Sequence, residues 1–488
     1  GEVPARPGVS TELSIANNWD MDSDFSTLTV DIRPDVPFHG GWGNVTADDV
    51  AWSFNNALEE GNLNPRSGFW GAYIGGVNVV DSDTVQFYAP EGKTISPRWA
   101  VELSNTWRGT QSISSKKAYD ELGEEAAQGT FAGTGPFETL EWSSDEGLVA
   151  DAVQTHYRET AKVERFKVLV IPETAAAVAA FMTGEVHAAI IPNAHIKEAV
   201  KVANGSMLRV GEPRAGFFFF GGNFWQKEHG GETIYPREGL QPDDDHPWIG
   251  DPDDPAKMES ARKVRLAFAM AIDRQLLSDE VENGLNPPSL TYTGLDKGHR
   301  LFKPEYDVPY DPQMGKALLK EAGYPTFDVK IWINPTDPIK ESAIAAAEMI
   351  RDGLGLNVIL ETTGYSARRP SLIGRTIDIP FLHARSIGDD TEPKGRLLSA
   401  EKGGANRGME MPNEVLDKTW YAGLSASSSA DTEAANIFLQ DFLSKWSLHA
   451  PLVSRINYIA VSPEIVEWRP YMDTFGSISS PESTILRR

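Results

Sequence analysis

The sequence predicts an α/β fold, because short apolar strands twice alternate with helices along the chain. The first alternation is FKVLVI at residues 166–171, ETAAAVAAFMTG at 173–184 and VHAAII at 186–191. The second places an alanine-rich helix at 339–352 between the strands FDVKIWIN and LNVILETT. In the first alternation, strand, helix and strand at this spacing are typical of a parallel crossover. We therefore expect two α/β regions with buried strands.

Composition narrows the class of protein. The chain has 488 residues, no cysteine and a formal net charge of −25. This length favours two or three domains. The absence of cysteine excludes disulfides and thiolate chemistry. The strong acidity argues against a nucleic-acid partner, whose phosphates need a basic face. No apolar run is long enough to cross a membrane.

Local signals fix several elements. In FHGGWGNVTADDVAWSFNNAL, at residues 38–58, Thr46 is a good helix N-cap, and acidic residues follow it in the first turn. Hairpins are predicted at 74–90 and 136–157, each with a turn of Asp, Ser or Glu residues between two alternating runs. Asp311 and Pro312 predict a further helix start. Four consecutive phenylalanines, Phe217 to Phe220, require that both faces of their strand are covered or that one faces a cleft.

Four stretches of the sequence resemble the family 5 solute-binding proteins, which are the peptide, nickel and oligosaccharide receptors of ABC importers. The first is DIRPDVPFHGGWG continued by VTADDVAWSFNNAL. The others are GTGPFETLEW at 133–142, VRLAFAMAIDRQLL at 264–277 and YDPQMGKALLKEAGYP at 310–325. Their order and spacing fit the family, so the resemblance covers most of the chain.

The resemblance implies the two-lobed periplasmic-binding-protein type II fold (cluster C), with a hinge and an interlobe cleft that holds the ligand. Lobe I would comprise residues 1–224, with an extra subdomain around 35–165, and 453–488 would return to it. Lobe II would comprise 225–452 and carry an acidic surface loop at 226–260. Family members usually have a few dozen residues before the segment that matches 7–19. The resemblance therefore implies that part of the site lies outside this sequence.

The implied function is capture of a solute by lobe closure, without catalysis, cofactor or metal, and delivery to an ABC permease in the membrane. The implied location is periplasmic or extracellular, with a lipid anchor upstream as an open question, and the expected state is a monomer. A peptide is the first choice of ligand, and an oligosaccharide is the second, because thirteen tryptophans would suit stacking on sugar rings. Nickel is disfavoured by nine scattered histidines.

Other chemistries leave weaker signals. The sequence has no Gly-x-Ser-x-Gly elbow, no His-Glu-x-x-His motif and no phosphate-binding Gly-Lys-Ser/Thr loop. A hydrolase with dispersed carboxylates and a structural adhesion protein remain alternatives. The acidic loop offers six aspartates that calcium could use, although their spacing does not match an EF-hand and a solvated loop is favoured. They are Asp243, Asp244, Asp245, Asp251, Asp253 and Asp254.

Candidate ligand-binding residues fall into two groups. The first is aromatic and polar side chains near glycines, which often line clefts, although core packing is favoured for each residue taken singly. The second follows predicted lobe II strands, because ligands bind beyond the carboxyl ends of strands in open α/β sheets. In the family's peptide receptors, a lobe II aspartate pairs with the ligand's amino terminus, and Asp389 or Asp390 could match it. Arg385 could pair with a ligand carboxylate. The full set is Trp70, Tyr73, Trp107, Arg108, Phe218, Phe220, Asn223 and Trp225, then Tyr365, Arg385, Ser386, Asp389 and Asp390.

Overall fold

A computed structural model describes most of the chain. The described residues are 12, 14–59, 70–71, 73–95, 99, 112–225, 228–229, 232–233, 243–386, 398, 408–424, 428–470 and 480–487.

The chain divides into two compact units. Unit 1 comprises Gly1–Gly211 and Tyr458–Arg488, and unit 2 comprises Glu212–Asn457. The chain therefore passes from one unit to the other twice, and both passages lie inside β-strands. The lobe boundaries implied by the family resemblance stay a prediction.

The strands are numbered in chain order. They are β1 (Ala16–Met21), β2 (Thr27–Ile32), β3 (Gly76–Val79), β4 (Thr84–Tyr88), β5 (Phe137–Ser143), β6 (Gly147–Ala152), β7 (Arg165–Leu169), β8 (Ala188–Ile190), β9 (Ser206–Phe220), β10 (Glu228–His229), β11 (Glu232–Thr233), β12 (Asp328–Trp332), β13 (Asn357–Glu361), β14 (Pro380–Ser386), β15 (His449–Val461), β16 (Ile465–Glu467) and β17 (Ile485–Leu486).

The α-helices are numbered in the same way. They are α1 (Ala47–Leu58), α2 (Lys116–Leu122), α3 (Glu124–Gly129), α4 (Thr174–Met182), α5 (Asn193–Val202), α6 (Pro255–Met270), α7 (Arg274–Leu276), α8 (Pro312–Glu321), α9 (Lys340–Leu354), α10 (Tyr365–Ile373), α11 (Asn413–Leu416), α12 (Ala422–Leu424) and α13 (Ser429–Trp446). Short π-helical segments follow α7 and α11, and 3₁₀ turns lie at His39–Gly41, Pro304–Tyr306 and Pro481–Ser483.

Unit 2 is built on a sheet in which β13, β12, β14, β9 and β15 are neighbours in that order. Strands β13 and β14 both run parallel to β12, and β14 runs antiparallel to β9. Helix α9 connects the parallel strands β12 and β13, so the order of strand, helix and strand predicted in this half is confirmed.

The four phenylalanines of β9 are all fully buried. Phe218 and Phe220 belong to the core that includes α6 and α9, whereas Phe217 and Phe219 belong to the core that includes α13. Alternate side chains of a strand point to opposite faces. The four residues therefore pack into two cores, one on each face, which is one of the two arrangements expected from the sequence.

Among its described residues, unit 1 contains three antiparallel sheets of its own. Their strand orders are β1-β2-β4-β3, β5-β6-β7 and β16-β17. Both predicted hairpins are confirmed, because β3 pairs with β4 and β5 pairs with β6. Helix α1 begins where predicted, and the Thr46 hydroxyl accepts from the Asp49 amide while the Asp49 carboxylate accepts from the Thr46 amide.

The predicted parallel crossover at 166–191 is wrong. Strand β7 pairs antiparallel with β6, whereas β8 pairs antiparallel with the end of β15. The prediction that 166–171 is a buried strand is also wrong, since Arg165, Lys167 and Leu169 are exposed. Strand, helix and strand share a local pattern whichever sheet each strand joins, so spacing alone could not exclude the antiparallel pairings.

The prediction of a surface loop over 226–260 is wrong for its C-terminal part. Trp248 and Ile249 are buried in the core of unit 2. Helix α6 already begins at Pro255, with the Asp254 carboxylate accepting from the amides of Ala256 and Lys257. The many Asp, Gly and Pro residues hid a short core-anchoring segment, because two apolar residues are too few to show a period.

Candidate functional site

The carboxyl ends of β12 and β13 form one edge of the unit 2 sheet. We define the carboxyl edge as residues 333–337, which follow β12, and 362–368, which follow β13. The indole N–H of Trp332 donates a 2.6 Å hydrogen bond to the carbonyl of Thr363, which holds the two segments together. Ligands of open α/β sheets bind beyond such an edge, so this is the candidate site within unit 2.

Arg368, on the first turns of α10, closes one side of the edge. Its guanidinium lies over the Trp332 ring, 6.0 Å from the centroid, and forms an ion pair with Glu361 at the end of β13. The guanidinium plane suits stacking on an aromatic face, so this contact fixes the side chain.

Asp337, on the carboxyl edge, forms an ion pair with Arg455 of β15. Oδ2 of Asp337 lies 3.5 Å from Nη1 of Arg455. Their side chains are only 12% and 15% exposed, so both charges are largely removed from water. The Asp337 carboxylate also accepts from the amide of Ile339 at 3.1 Å. The Nε of Arg455 is buried and makes no hydrogen bond in the described part of the chain. Arg455 thus directs Nη1 towards Asp337, while its buried Nε is a donor without a partner among the described residues.

Sequence reasoning missed this pair. Asp337 follows the end of a correctly predicted strand, so the rule that selected Arg385 could also have selected Asp337. Arg455 carried no signal, because its proximity to Asp337 depends on where β15 packs.

The predicted residues at the end of β14 are only partly described. The register places Arg385 opposite Ala215 and Ser386 opposite Arg214 on β9. The positions of the Arg385 and Ser386 side chains are not described, and Asp389 and Asp390 lie outside the described residues. Tyr365 begins α10 on the carboxyl edge and is exposed, so its ring is accessible to a ligand.

The predicted residues on and after β9 lie in packed surroundings. Phe218 and Phe220 are core residues of unit 2. Asn223 is buried and donates to the carbonyls of Phe220 and Trp248, while it accepts from the Gly250 amide.

Trp225 is half-buried and lies against Phe442, with ring centroids 5.6 Å apart. Phe218, Phe220 and Asn223 have a packing role in the structure. Ligand contact stays a prediction for these three residues and for Trp225.

Two of the candidate ligand-binding residues of unit 1 also lie in packed surroundings. Trp70 and Tyr73 are almost fully buried, and Trp70 packs against Phe54 with ring centroids 5.6 Å apart. Trp107 and Arg108 lie outside the described residues. Ligand contact stays a prediction for all four of these residues.

No metal centre is found within the described ranges, where no three His, Asp or Glu side chains are placed to hold an ion. In the acidic segment, Asp243 instead binds His246, whose Nδ1 lies 2.7 Å from the carboxylate, and Asp378 lies 3.4 Å from Nε2. Hydrogen bonding to Asp378, followed by that to Asp243, raises the pKa of His246 to about 9.

The fold matches solved periplasmic binding proteins. One is the ABC-transporter-associated protein DppA from Helicobacter pylori, solved in complex with the peptide STSA, with a TM-score of 0.75 and 18% sequence identity. The match covers 97% of this chain and 89% of that chain. The predicted class, an α/β fold of the two-lobed periplasmic-binding-protein type II kind, is thereby confirmed.

The matches to curated relatives cover a smaller share of both chains. Heme-binding protein A of Haemophilus influenzae is 22% identical over 390 residues, covering 73% of this chain and 63% of that protein. This chain thus spans less than two thirds of that relative's length. The periplasmic murein peptide-binding protein MppA of Escherichia coli is 24% identical over 468 residues, covering 89% of this chain and 78% of MppA.

The family itself is shown by its sequence profile, described as bacterial extracellular solute-binding proteins, family 5 Middle, which matches residues 11–399. The protein belongs to this family, and the resemblance seen in the sequence is confirmed. Members of the family are periplasmic or extracellular binding proteins. Within the described part of this chain, every helix is too short or too polar to traverse a bilayer.

Proposed function

We propose that the protein is an extracytoplasmic substrate-binding protein of an ABC importer. It captures a peptide-like solute by closure of its two lobes and delivers it to the membrane permease, with no bond made or broken. Family membership supports the class of function. The observation that carries the peptide assignment is the Asp337–Arg455 pair beside the carboxyl edge.

A free peptide carries an ammonium group at one end and a carboxylate at the other. Asp337 offers an acceptor for the first, and Arg455 offers a planar fork of donors for the second. When a ligand group pairs with Asp337 or Arg455, it replaces the opposite charge that the ion pair supplied to that side chain. The pair is thus prepared to recognise a zwitterion at a site largely removed from water.

Charged residues at and after the end of β14 would extend this recognition. Asp389 or Asp390 would pair with the amino terminus of the peptide, as the family resemblance implies. Arg385 would pair with a carboxylate, because its planar guanidinium can bind one in a bidentate way. Ser386 and the exposed Tyr365 ring would contact the solute between its charged ends. The remaining proposed contacts are Trp107, Arg108 and Trp225.

The proposed partners and location follow from the family. The protein acts as a monomer outside the cytoplasmic membrane and hands its ligand to an ABC permease. An upstream lipid anchor would keep it close to that partner. It needs no cofactor and no metal.

Binding calorimetry with peptides of two to five residues tests the peptide assignment, using free, N-acetylated and C-amidated forms of each sequence. We expect stoichiometric binding of the free forms and at least about tenfold weaker binding when a terminus is blocked, since a charged hydrogen bond contributes about 1.5–3 kcal/mol. Arg455→Met and Asp337→Asn should weaken binding by a similar factor. Lys316→Gln, which alters an exposed side chain on α8, should not.

Three outcomes would contradict this assignment. Equal binding of blocked and free peptides would remove the role of the charged pair. Binding of oligosaccharides or heme, with no peptide bound, would replace the ligand class. Mass spectrometry that shows shortened peptide after incubation would indicate a hydrolase and not a receptor.

A further inference from the structure

Unit 1 contains a cavity of about 380 Å³ that shares no residue with the carboxyl edge. Three loops enclose it, at residues 35–39 before α1, 134–135 before β5 and 153–157 after β6. Its volume lies within the range of small-molecule pockets.

Two imidazoles hold the middle loop in place. Nε2 of His39 lies 2.9 Å from the carbonyl of Gly135, and Nε2 of His156 lies 2.8 Å from the carbonyl of Thr134. A carbonyl can only accept, so Nε2 is the protonated nitrogen of both rings. The other nitrogen of His156 accepts from the Arg158 amide. Nδ1 of His39 has no hydrogen-bond partner among the described residues, so it can accept from a ligand.

The cavity also presents polar side chains that are not engaged within the described chain. They are the Asp35 carboxylate and the hydroxyls of Thr134 and Thr155. The hydroxyls can donate or accept, whereas the carboxylate and His39 Nδ1 accept. Such a set suits a ligand with several hydroxyl groups, each of which can do both.

One wall of the cavity carries two aromatic rings. His156 and Tyr157 lie against each other, with ring centroids 4.5 Å apart and an interplanar angle of 35°. Val36, Pro37 and Val153 add aliphatic surface. Aromatic rings beside polar groups can pack on the carbon face of a compact ligand while its polar edge is bound.

The charges around the cavity oppose each other. The guanidinium of Arg33 lies 5.5 Å from the Tyr157 ring centroid, and the Asp35 carboxylate faces the same cavity. A ligand of either charge would be attracted by one group and repelled by the other. A neutral ligand incurs no such repulsion.

We propose that this cavity is a second small-molecule site, which binds a neutral polyol such as a monosaccharide. The polyol's hydroxyls bind Asp35, His39 Nδ1 and the two threonines, and its carbon face packs on the His156–Tyr157 wall. The site is separate from the peptide recognition proposed above and does not depend on it.

Saturation-transfer NMR on the full chain tests the proposal, with glucose, galactose, mannose and inositol as probes at millimolar concentrations. Glucosamine and glucuronate are the cationic and anionic comparisons. We expect saturation of at least one neutral probe, and weaker binding of its charged relatives. Asp35→Ala and Thr155→Val alter exposed lining residues and should each weaken binding, the first about tenfold because a charged acceptor is lost.

Asp20→Ala is the matched control, because Asp20 is an exposed aspartate of unit 1 outside the cavity, and it should bind like the unaltered protein. No binding of any neutral probe would overturn the proposal, as would tighter binding of a charged probe or identical binding by the Asp35→Ala variant. Peptide titrations of the same variants should be unchanged, so failure here is distinguishable from failure of the peptide assignment.

Discussion

The guanidinium of Arg265 donates a 3.0 Å hydrogen bond to the side-chain oxygen of Asn223, so helix α6 is tied to the residues that follow β9. Arg265 is fully buried and also donates to the carbonyls of Trp248 and Trp446. One side chain thus joins four parts of unit 2, although it forms no ion pair within the described chain.

Replacing Arg265 with methionine should destabilise unit 2 by about 3–5 kcal/mol, because three hydrogen bonds of a fully buried charged donor are lost at once. Urea unfolding followed by tryptophan fluorescence measures this. Arg262→Met on the same helix is the control, since its partly exposed pair with Glu259 should contribute at most about 1 kcal/mol. Equal losses of stability in the two variants would mean that the buried hydrogen bonds of Arg265 contribute no more than a partly exposed ion pair.

His449 should make unit 2 less stable in acid. It is buried against Phe217 and Tyr292, and burial lowers its pKa to about 4. The unfolded chain binds a proton below about pH 6.5 while the folded chain does not. The stabilising contribution is therefore complete above pH 6.5 and falls as pH drops towards 4, by about 3 kcal/mol in total.

The measurement is the free energy of unfolding between pH 4 and 7, compared with His449→Phe. The variant keeps an aromatic ring and removes the titrating group, so its acid decline should be shallower by about that amount. Parallel curves for the two proteins would show that His449 does not titrate as its burial requires.

His246 should make the protein less stable at alkaline pH, whereas His449 makes it less stable in acid. Its pKa is raised to about 9 by hydrogen bonds with Asp378 and Asp243, so the folded chain retains a proton that the unfolded chain releases near pH 6.5. This contribution is complete below pH 6.5 and is lost as pH rises through 9. NMR titration of the imidazole and unfolding curves from pH 6 to 10 test it. His246→Gln and Asp378→Asn should both flatten the alkaline decline, and a titration near pH 6.5 in the folded protein would contradict the expectation.

Gly216 allows β9 and β15 to approach each other within unit 2. A Cβ at this position would lie 2.5 Å from the backbone carbonyl oxygen of Val453 and 2.4 Å from the Ile339 side chain. Gly216→Ala should therefore destabilise unit 2 by about 1–3 kcal/mol through overpacking. Gly364→Ala is the control, because nothing lies within 4 Å of the added carbon there. Thermal unfolding compares the two, and an unchanged midpoint for Gly216→Ala would contradict the close approach.

The elements with strong local signals could be predicted from the sequence. Thr46 and Asp49 form a reciprocal cap, and Asp311 caps α8 with Pro312 in its first turn. The strand, helix and strand that became β12, α9 and β13 were also predicted from local patterns. These features depend on residues close together in the chain, where hydrogen-bond geometry allows few alternatives.

The site was less predictable. The rule that ligands bind beyond strand ends directed attention to Tyr365 and Arg385, and it would have reached Asp337. The aromatic criterion selected Trp70, Phe218 and Phe220, which the structure places in cores. An aromatic residue beside glycines has the same local pattern whether it faces a ligand or a core, so composition cannot distinguish the two.

By itself, the sequence determined the α/β class, the family, the caps and the hairpins, because each depends on neighbouring residues or on matched stretches. Only the tertiary structure decided that β7 and β8 join different sheets, that Trp248 anchors an acidic segment, and that Arg455 reaches Asp337. Those outcomes depend on which distant surfaces bury apolar area together, and that choice is made by packing of the whole unit and not by any local stretch.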